Sequence, residues 1–441
     1  IAAQAAFREL AGYLGRTLPA EPPRGDDVWM QANFGPFREL IVGELRREMD
    51  RGLGEVRREL EQQGVRDPEL LDAPATMARE LLLALEDVDR FEMGLKLDAQ
   101  KPEVRATAEL LFRGNQAWAT KVLTGANAKK SLPPEQFWRM AADADSAFFG
   151  HSADPALFVG VRRTTKKAIA QGLDIAGQFA GGLLTDADKQ AFVVLFDTIP
   201  VGGGGVWATS TGTLAPLPGG APAGQKPASF TTAQAVAEAR NKVRGFIGWS
   251  VMSTDGDIRQ MQAFLKSLND AYARGLGMVK READQKLARA PQDMKKFYQE
   301  RRAELNRAPT VKFVADPPGY PKGSAELAFD FELQSDDVWS WVHPDQSWDS
   351  RPEHPKGRPA KGKISVRVAV IPDGPGRYLW GYAADDKALK DRLLAAQSGS
   401  PKDKTLASRP DLDRLKVPAP PAGLINYGRI VANLAELDEH D

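Results

Sequence analysis

The sequence predicts an α+β protein of two related lobes, each an antiparallel sheet covered by helices, with an insertion in the second lobe. Three observations predict this class. Apolar residues recur every three or four positions over long stretches, as in amphipathic helices. Shorter stretches alternate apolar and polar residues, as in half-buried strands. The order of these elements recurs on either side of residues 212–229, which are rich in proline and glycine.

The N-terminal region predicts two helices and two strands. The first helix begins at Pro36 and extends to about Gly64, because its apolar residues are spaced three or four apart: Phe37, Leu40, Ile41, Leu45 and Met49. The second helix covers 68–89 by the same criterion. Residues 91–97 and 104–112 alternate as strands, with a turn at Lys101-Pro102 between them. Two strands alone are marginally stable, so we expect the helices to cover them.

The remaining elements follow from the same two patterns. Helices are predicted at 115–124, 155–172, 186–196, 230–244, 257–274 with an extension to 289, 291–307 and 386–396. Strands are predicted at 145–150, 206–211, 246–253, 311–315, 325–333, 364–371, 377–383 and 423–427. Helices 257–274 and 291–307 are expected to form a helical hairpin that is able to dock a partner.

Three domain segments follow from this order. Residues 1–211 form the first lobe, 212–229 a linker or mobile loop, and 230–441 the second lobe. Trp249 follows Trp29 by 220 positions, and Val311 follows Phe91 by the same interval. Such matching intervals suggest a duplication. Later in the chain the interval between matching elements is longer, and an insertion at about 334–362 accounts for the difference. Chance similarity of α+β segments is the alternative explanation.

Composition excludes several function classes. Lys and Arg number 59, as do Asp and Glu, so no excess of positive charge predicts nucleic-acid binding. There is no cysteine, which excludes disulfides, thiolate catalysis and cysteine-ligated metals. Avoidance of cysteine is consistent with export from a bacterium. No apolar run reaches the roughly 18–20 residues of a membrane-spanning helix, so no transmembrane segment is predicted.

Motifs for catalysis are absent from the sequence. It contains no phosphate-binding P-loop, no H-E-x-x-H zinc motif and no G-x-S-x-G nucleophile elbow. His151 and Ser152 are neighbours, but adjacent residues of a strand point to opposite faces, so they do not form a catalytic pair. These absences predict a protein that is not an enzyme.

The insertion holds the candidate metal ligands. Four side chains with imidazole or carboxylate groups lie close together in sequence: His343, Asp345, Asp349 and His354. Such groups bind zinc or manganese. A metal-dependent hydrolase built on these residues is the first alternative function, and a solvated polar loop without a cofactor is the simpler explanation of the same residues.

The insertion also holds the candidate binding residues, Trp339, Trp341 and Trp348. Tryptophan beside Asp and His stacks on sugar rings or anchors a protein partner. The alternative is that these indoles fill the core of the insertion or the interface between the lobes.

Two further stretches carry a resemblance to a known group of proteins. Residues 143–149 read DADSAFF after a short helix, and 405–410 read TLASRP ahead of an apolar strand. Both resemble patterns in large uncharacterised exported bacterial proteins, which are often lipoproteins. The resemblance covers only these two stretches. It implies an envelope location and implies no chemistry.

These observations together predict a non-enzymatic bacterial protein, exported to the periplasm or the outer envelope, with a binding or scaffolding role. Its partner is predicted to be a protein or a glycan, bound by the tryptophan-rich loop or in the cleft between lobes. A second alternative function is a carrier that holds a hydrophobic ligand between the lobes.

Overall fold

The computed structural model describes residues 27–98, 103–125, 131–151, 154–179, 183–200, 204–210, 218–220, 230–335, 338, 361–399, 404–418 and 423–425. The chain divides into two compact units, Ile1–Gly125 and Ala126–Asp441. Each unit is described by itself below.

Among its described residues, the first unit contains a three-stranded antiparallel sheet and three helices. Its elements are β1 Val28–Asn33, α1 Gly35–Gln62, α2 Pro68–Asp87, β2 Val88–Asp98, β3 Glu103–Phe112 and α3 Trp118–Gly125. β2 lies between β1 and β3. These elements confirm the predicted helices at 36–64 and 68–89 and the predicted strands at 91–97 and 104–112.

A buried carboxylate joins two helices of this unit. Asp87, at the end of α2, is 2% exposed and accepts a hydrogen bond from the backbone N–H of Ala117, at 2.8 Å, just before α3. A Cβ at Gly114 would lie 2.4 Å from the Asp87 Oδ1 atom. The turn into α3 therefore requires glycine there, because any side chain would collide with the carboxylate.

The second unit contains eight strands and seven α-helices among its described residues. The helices are α4 Glu135–Arg139, α5 Ala156–Phe179, α6 Asp186–Thr198, α7 Thr232–Ile247, α8 Ile258–Arg289, α9 Lys295–Glu304 and α10 Asp386–Ser398. The strands are β4 Ser146–Gly150, β5 Gly205–Ser210, β6 Trp249–Asp255, β7 Thr310–Ala315, β8 Ala325–Leu333, β9 Gly362–Pro372, β10 Arg377–Ala383 and β11 Gly423–Ile425. They form one antiparallel sheet in the order β11-β4-β5-β6-β10-β9-β8-β7.

Helices cover both faces of this sheet. On one face, α4 and α10 pack against the centre, where Phe137, Trp249, Leu389 and Leu393 belong to one buried cluster. On the other face, Met261 and Leu265 of α8 pack on β8, β9 and β10. Strand side chains alternate between the faces, as a pleated strand requires: Ala369 and Ile371 join the first cluster, and Val370 joins the second.

Helix α8 is the longest described element and extends past the sheet. Its 32 residues span about 48 Å at 1.5 Å per residue. Met261 and Leu265, near its start, pack on the sheet, whereas later residues contact α6 and α9. The predicted helix at 257–274 and its extension to 289 are therefore one continuous helix, which carries the functional site described below.

The α+β class is confirmed, but the arrangement in two related lobes is not. β5 and β6 flank residues 212–229 and pair directly in the same sheet, so this segment does not separate two sheets. The two units divide after Gly125 instead. Trp29 lies on an edge strand of the three-stranded sheet, whereas Trp249 lies fully buried inside the eight-stranded one. Residues at the matching interval therefore occupy different positions in different sheets.

The structure also bears on the membrane prediction. Within the described ranges, no helix has both the length and the apolar character that crossing a bilayer requires.

Candidate functional site

The residues that the sequence singled out lie outside the described residues. This applies to the candidate binding residues Trp339, Trp341 and Trp348, and to the candidate metal ligands His343, Asp345, Asp349 and His354. Both sites stay predictions. In the part of the chain that the structure does describe, no three His, Asp or Glu side chains form a group that could hold a metal ion.

Only the two ends of the predicted insertion and Val338 within it are described. Val338 is fully buried and packs with Phe230, Ala235 and Ala239, at the start of α7 and just before it. Its backbone N–H donates to the carbonyl of Gln334 at 2.9 Å. The beginning of the insertion is therefore anchored to α7 by an apolar contact.

A serine–histidine contact appears where the sequence did not predict one. His151 Nε2 lies 2.9 Å from the Oγ atom of Ser131, a serine 20 positions earlier in the chain. The pair is exposed, and among the described residues no carboxylate is bonded to His151. A nucleophilic serine needs a base that is held in place by a third group and shielded from water. The contact therefore provides only part of what acyl-transfer chemistry requires.

A large concave site among the described residues is a groove formed by α5, α6, α8 and α9. Its volume is about 810 Å³. Pockets that bind small molecules typically measure about 300–1,000 Å³ and are mostly apolar, with a few polar groups. We call this site the α8 groove.

Two walls of the α8 groove are joined by an ion pair between the buried Asp188 of α6 and the partly exposed Arg281 of α8. Asp188 is fully buried at the third position of α6. Its Oδ2 atom accepts hydrogen bonds from the Thr185 backbone N–H at 3.0 Å, from the Thr185 hydroxyl at 2.7 Å and from the Arg281 guanidinium. Arg281 also donates to the Leu183 carbonyl at 2.9 Å. These bonds fix the beginning of α6 on the middle of the α8 extension.

The electrostatics of Asp188 are consistent with this role. Burial raises the pKa of its carboxyl group, but the hydrogen bonds from Thr185 and the charge of Arg281 together lower it by more, so the net pKa lies below the ordinary 3.8. The carboxylate is therefore ionised at neutral pH and pairs with the guanidinium throughout the physiological range.

Two more ion pairs connect the remaining walls. Lys189 of α6 lies 2.7 Å from Asp174 of α5. Arg302 of α9 pairs with Asp284 of α8. Each of the four helices is thus connected to a neighbour by a charged contact, so the groove is formed before any ligand arrives.

The inner surface of the groove is apolar. Leu184 is only 9% exposed, and Leu173, Phe192 and Met278 are partly buried beside it. Tyr298 completes this surface from α9. These five side chains come from four segments of the chain, and they leave a slot rather than packing into a closed core.

The opening of the groove is polar. It is lined by Glu282, Gln285, Lys286 and Arg289, which lie on successive turns at the end of α8. Lys286 pairs with Glu282 at 2.7 Å, and this contact raises the pKa of the lysine. An apolar slot that ends in charged groups is suited to an amphipathic molecule, and the described lining contains no pair of groups arranged for proton transfer.

Two smaller clefts of the same unit are less suited to a ligand. One, of about 380 Å³, contains Arg392, which donates two hydrogen bonds to Asp143 at 2.8 and 2.6 Å and stacks 4.0 Å from the ring centre of Trp249. Its guanidinium is already bound by the protein. The other, of about 660 Å³, lies on the opposite side of α6 at Ala187 and Arg274. It is lined mainly by small or polar residues and has no large apolar wall.

Sequence reasoning missed the α8 groove because its apolar residues look like ordinary core positions of amphipathic helices. The one available signal was the predicted extension of the helix to 289, which continues beyond the length that the sheet can cover. The comparisons with known proteins add nothing to this site: no protein-family model, no curated protein and no solved structure matches the chain.

Proposed function

We propose that this protein is a non-enzymatic binding protein that holds an elongated apolar molecule in the α8 groove. The observation that carries the proposal is the groove itself, about 810 Å³ in volume, with an apolar wall formed by Leu184, Phe192 and Met278. Burying an apolar ligand there removes apolar surface of both the ligand and the groove wall from water, which is the main favourable contribution to such binding.

The proposal keeps the hydrophobic-ligand alternative that the sequence raised, but assigns the ligand to a groove inside the second unit. Three ion pairs, Asp188–Arg281, Lys189–Asp174 and Arg302–Asp284, support it because they join the helices that form the walls. A preformed site avoids the entropic cost of ordering the protein when the ligand binds.

Fluorescence of an uncharged apolar probe, N-phenyl-1-naphthylamine, tests this proposal. Ala176 is an exposed residue of α5 that lines the groove, so Ala176→Trp fills the groove without removing a core side chain. We expect saturable binding by the natural protein, weakened at least about tenfold by this substitution. Ala187→Trp is the matched control, since Ala187 is an exposed helical alanine that lines the other side of α6.

The control should bind the probe as the natural protein does, and both variants should unfold at the natural temperature. Absence of saturable binding, or equal weakening by the two substitutions, would remove the groove from the proposal.

We also propose that the protein acts in the bacterial envelope, in the periplasm or at the outer surface. The support is compositional: a chain of 441 residues without cysteine is compatible with an oxidising compartment. Immunoblots of periplasmic and cytosolic fractions of the producing cells test the location, and a signal confined to the cytosol would refute it.

A further inference from the structure

We propose that the ligand of the α8 groove is a long-chain carboxylic acid, with its alkyl chain along the apolar wall and its carboxylate at Arg289. This inference rests on the proposed function, because it names the class of ligand for the same groove. It is argued from the charges at the opening.

The opening carries one positive charge that the protein does not neutralise. Lys286 and Glu282 compensate each other at 2.7 Å. Arg289, the last residue of α8, is exposed and lines the groove, yet among the described residues no carboxylate lies within ion-pair distance of it. The side chains of the opening therefore favour a ligand with a single negative charge over a neutral or cationic one.

The helix ends at this place agree with that preference. α9 begins with Lys295 and Lys296, has no acidic residue in its first turn and has no side chain that caps its N-terminus. Tyr298, in the same turn, lines the groove. The N-terminal end of a helix carries partial positive charge and attracts anions. The C-terminal end of α8 has the opposite polarity, and Lys286 and Arg289 lie in its last turn.

The geometry of arginine fits a carboxylate. The guanidinium is planar and donates two parallel hydrogen bonds, which match the two oxygens of a carboxylate. A doubly charged phosphate monoester would need a second cation, and among the described residues that line the groove the other cation, Lys286, is already paired with Glu282. The wall behind the opening is formed by Leu184, Phe192 and Met278 and suits an unbranched alkyl chain.

The experiment compares three ligands of one chain length by displacement of N-phenyl-1-naphthylamine: dodecanoic acid, dodecan-1-ol and dodecylamine. We expect the acid to bind at least about tenfold more tightly than the alcohol, and the amine most weakly. Arg289→Gln should reduce the affinity for the acid about tenfold and leave the affinity for the alcohol unchanged. Arg289→Lys should retain part of the preference, because it keeps the charge but loses the paired hydrogen bonds.

Arg274→Gln is the matched control, since it makes the same change on the same helix about 22 Å away and outside the groove. It should leave both affinities unchanged. Equal binding of acid and alcohol, or equal effects of the two arginine substitutions, would overturn the carboxylate inference while the binding function stands. Failure of the probe and all three ligands to bind would overturn the proposed function itself.

Discussion

Replacing Asp188 by Asn should loosen α6 from α8 selectively. The substitution keeps the size of the side chain, but it removes the negative charge that pairs with Arg281. Breaking a buried ion pair by removing one partner costs about 3–5 kcal/mol. Arg281 is 42% exposed, so water can solvate its charge once the partner is gone. We therefore expect about 3 kcal/mol, which combines a lost charged hydrogen bond with a weakened helix cap.

Hydrogen–deuterium exchange measures this effect locally. If α6 opens as a separate segment, a loss of about 3 kcal/mol speeds the exchange of its backbone amides about 100-fold. Peptides from β9 and β10 should exchange as in the natural protein. Asp186→Asn is the control, because Asp186 lies in the same helical turn but its side chain is fully exposed. Equal acceleration by both substitutions would refute the role assigned to the buried pair.

The same residue predicts how stability depends on pH. Its pKa in the folded protein is lower than the ordinary 3.8, so its stabilising contribution is complete above that value and is lost as the pH falls through the folded pKa. The natural protein should therefore unfold at a higher temperature than Asp188→Asn by a constant amount near neutral pH. This difference in unfolding temperature should become smaller below about pH 4.

The remaining predictions concern the eight-stranded sheet and its cover. Gly205→Ala should lower the free energy of unfolding in urea by about 2–3 kcal/mol, because the new Cβ would lie 1.9 Å from a carbonyl oxygen of β6. Gly150→Ala is the control, since Gly150 is the paired residue of β4 and has open space, so this substitution should be tolerated. Glu326→Gln should raise the unfolding temperature at pH 7 but leave it unchanged below about pH 4. The reason is that burial and the charge of Asp386 raise the pKa of Glu326 and disfavour its ionised form. A lower unfolding temperature of the variant at pH 7 would contradict this. Arg392→Lys should lower the free energy of unfolding in urea by about 1–2 kcal/mol, because lysine loses one hydrogen bond to Asp143 and the stacking on the Trp249 indole. An unchanged midpoint of urea unfolding would contradict the structural role given to the guanidinium.

Local structure was predictable from the sequence to a large extent. The strands at 325–333 and 377–383 and the start of the helix at Asp186 agree with the structure residue for residue. Such elements are determined by short-range patterns: alternation in the strands, and a Thr185–Asp188 capping box at the helix. These signals lie within a few residues of each other, so they can be recognised without knowing the fold.

The candidate site was not predictable in the same way. Leu184, Phe192 and Met278 follow the apolar spacing of buried helix faces, and nothing in that spacing tells a packed core from the wall of a groove. The distinction depends on how far apart the helices stand. That distance is set by pairs such as Asp188 and Arg281, which are 93 positions apart in the chain.

The sequence by itself therefore determined the α+β class, most helices and strands, and the exclusion of cysteine chemistry. Only the tertiary structure decided that β5 and β6 pair across residues 212–229 within one sheet, and that the end of α8 borders a groove. The physical reason is that helices and strands form from contacts between near neighbours, whereas the choice of strand partner and the spacing of helices depend on contacts between residues far apart in the chain.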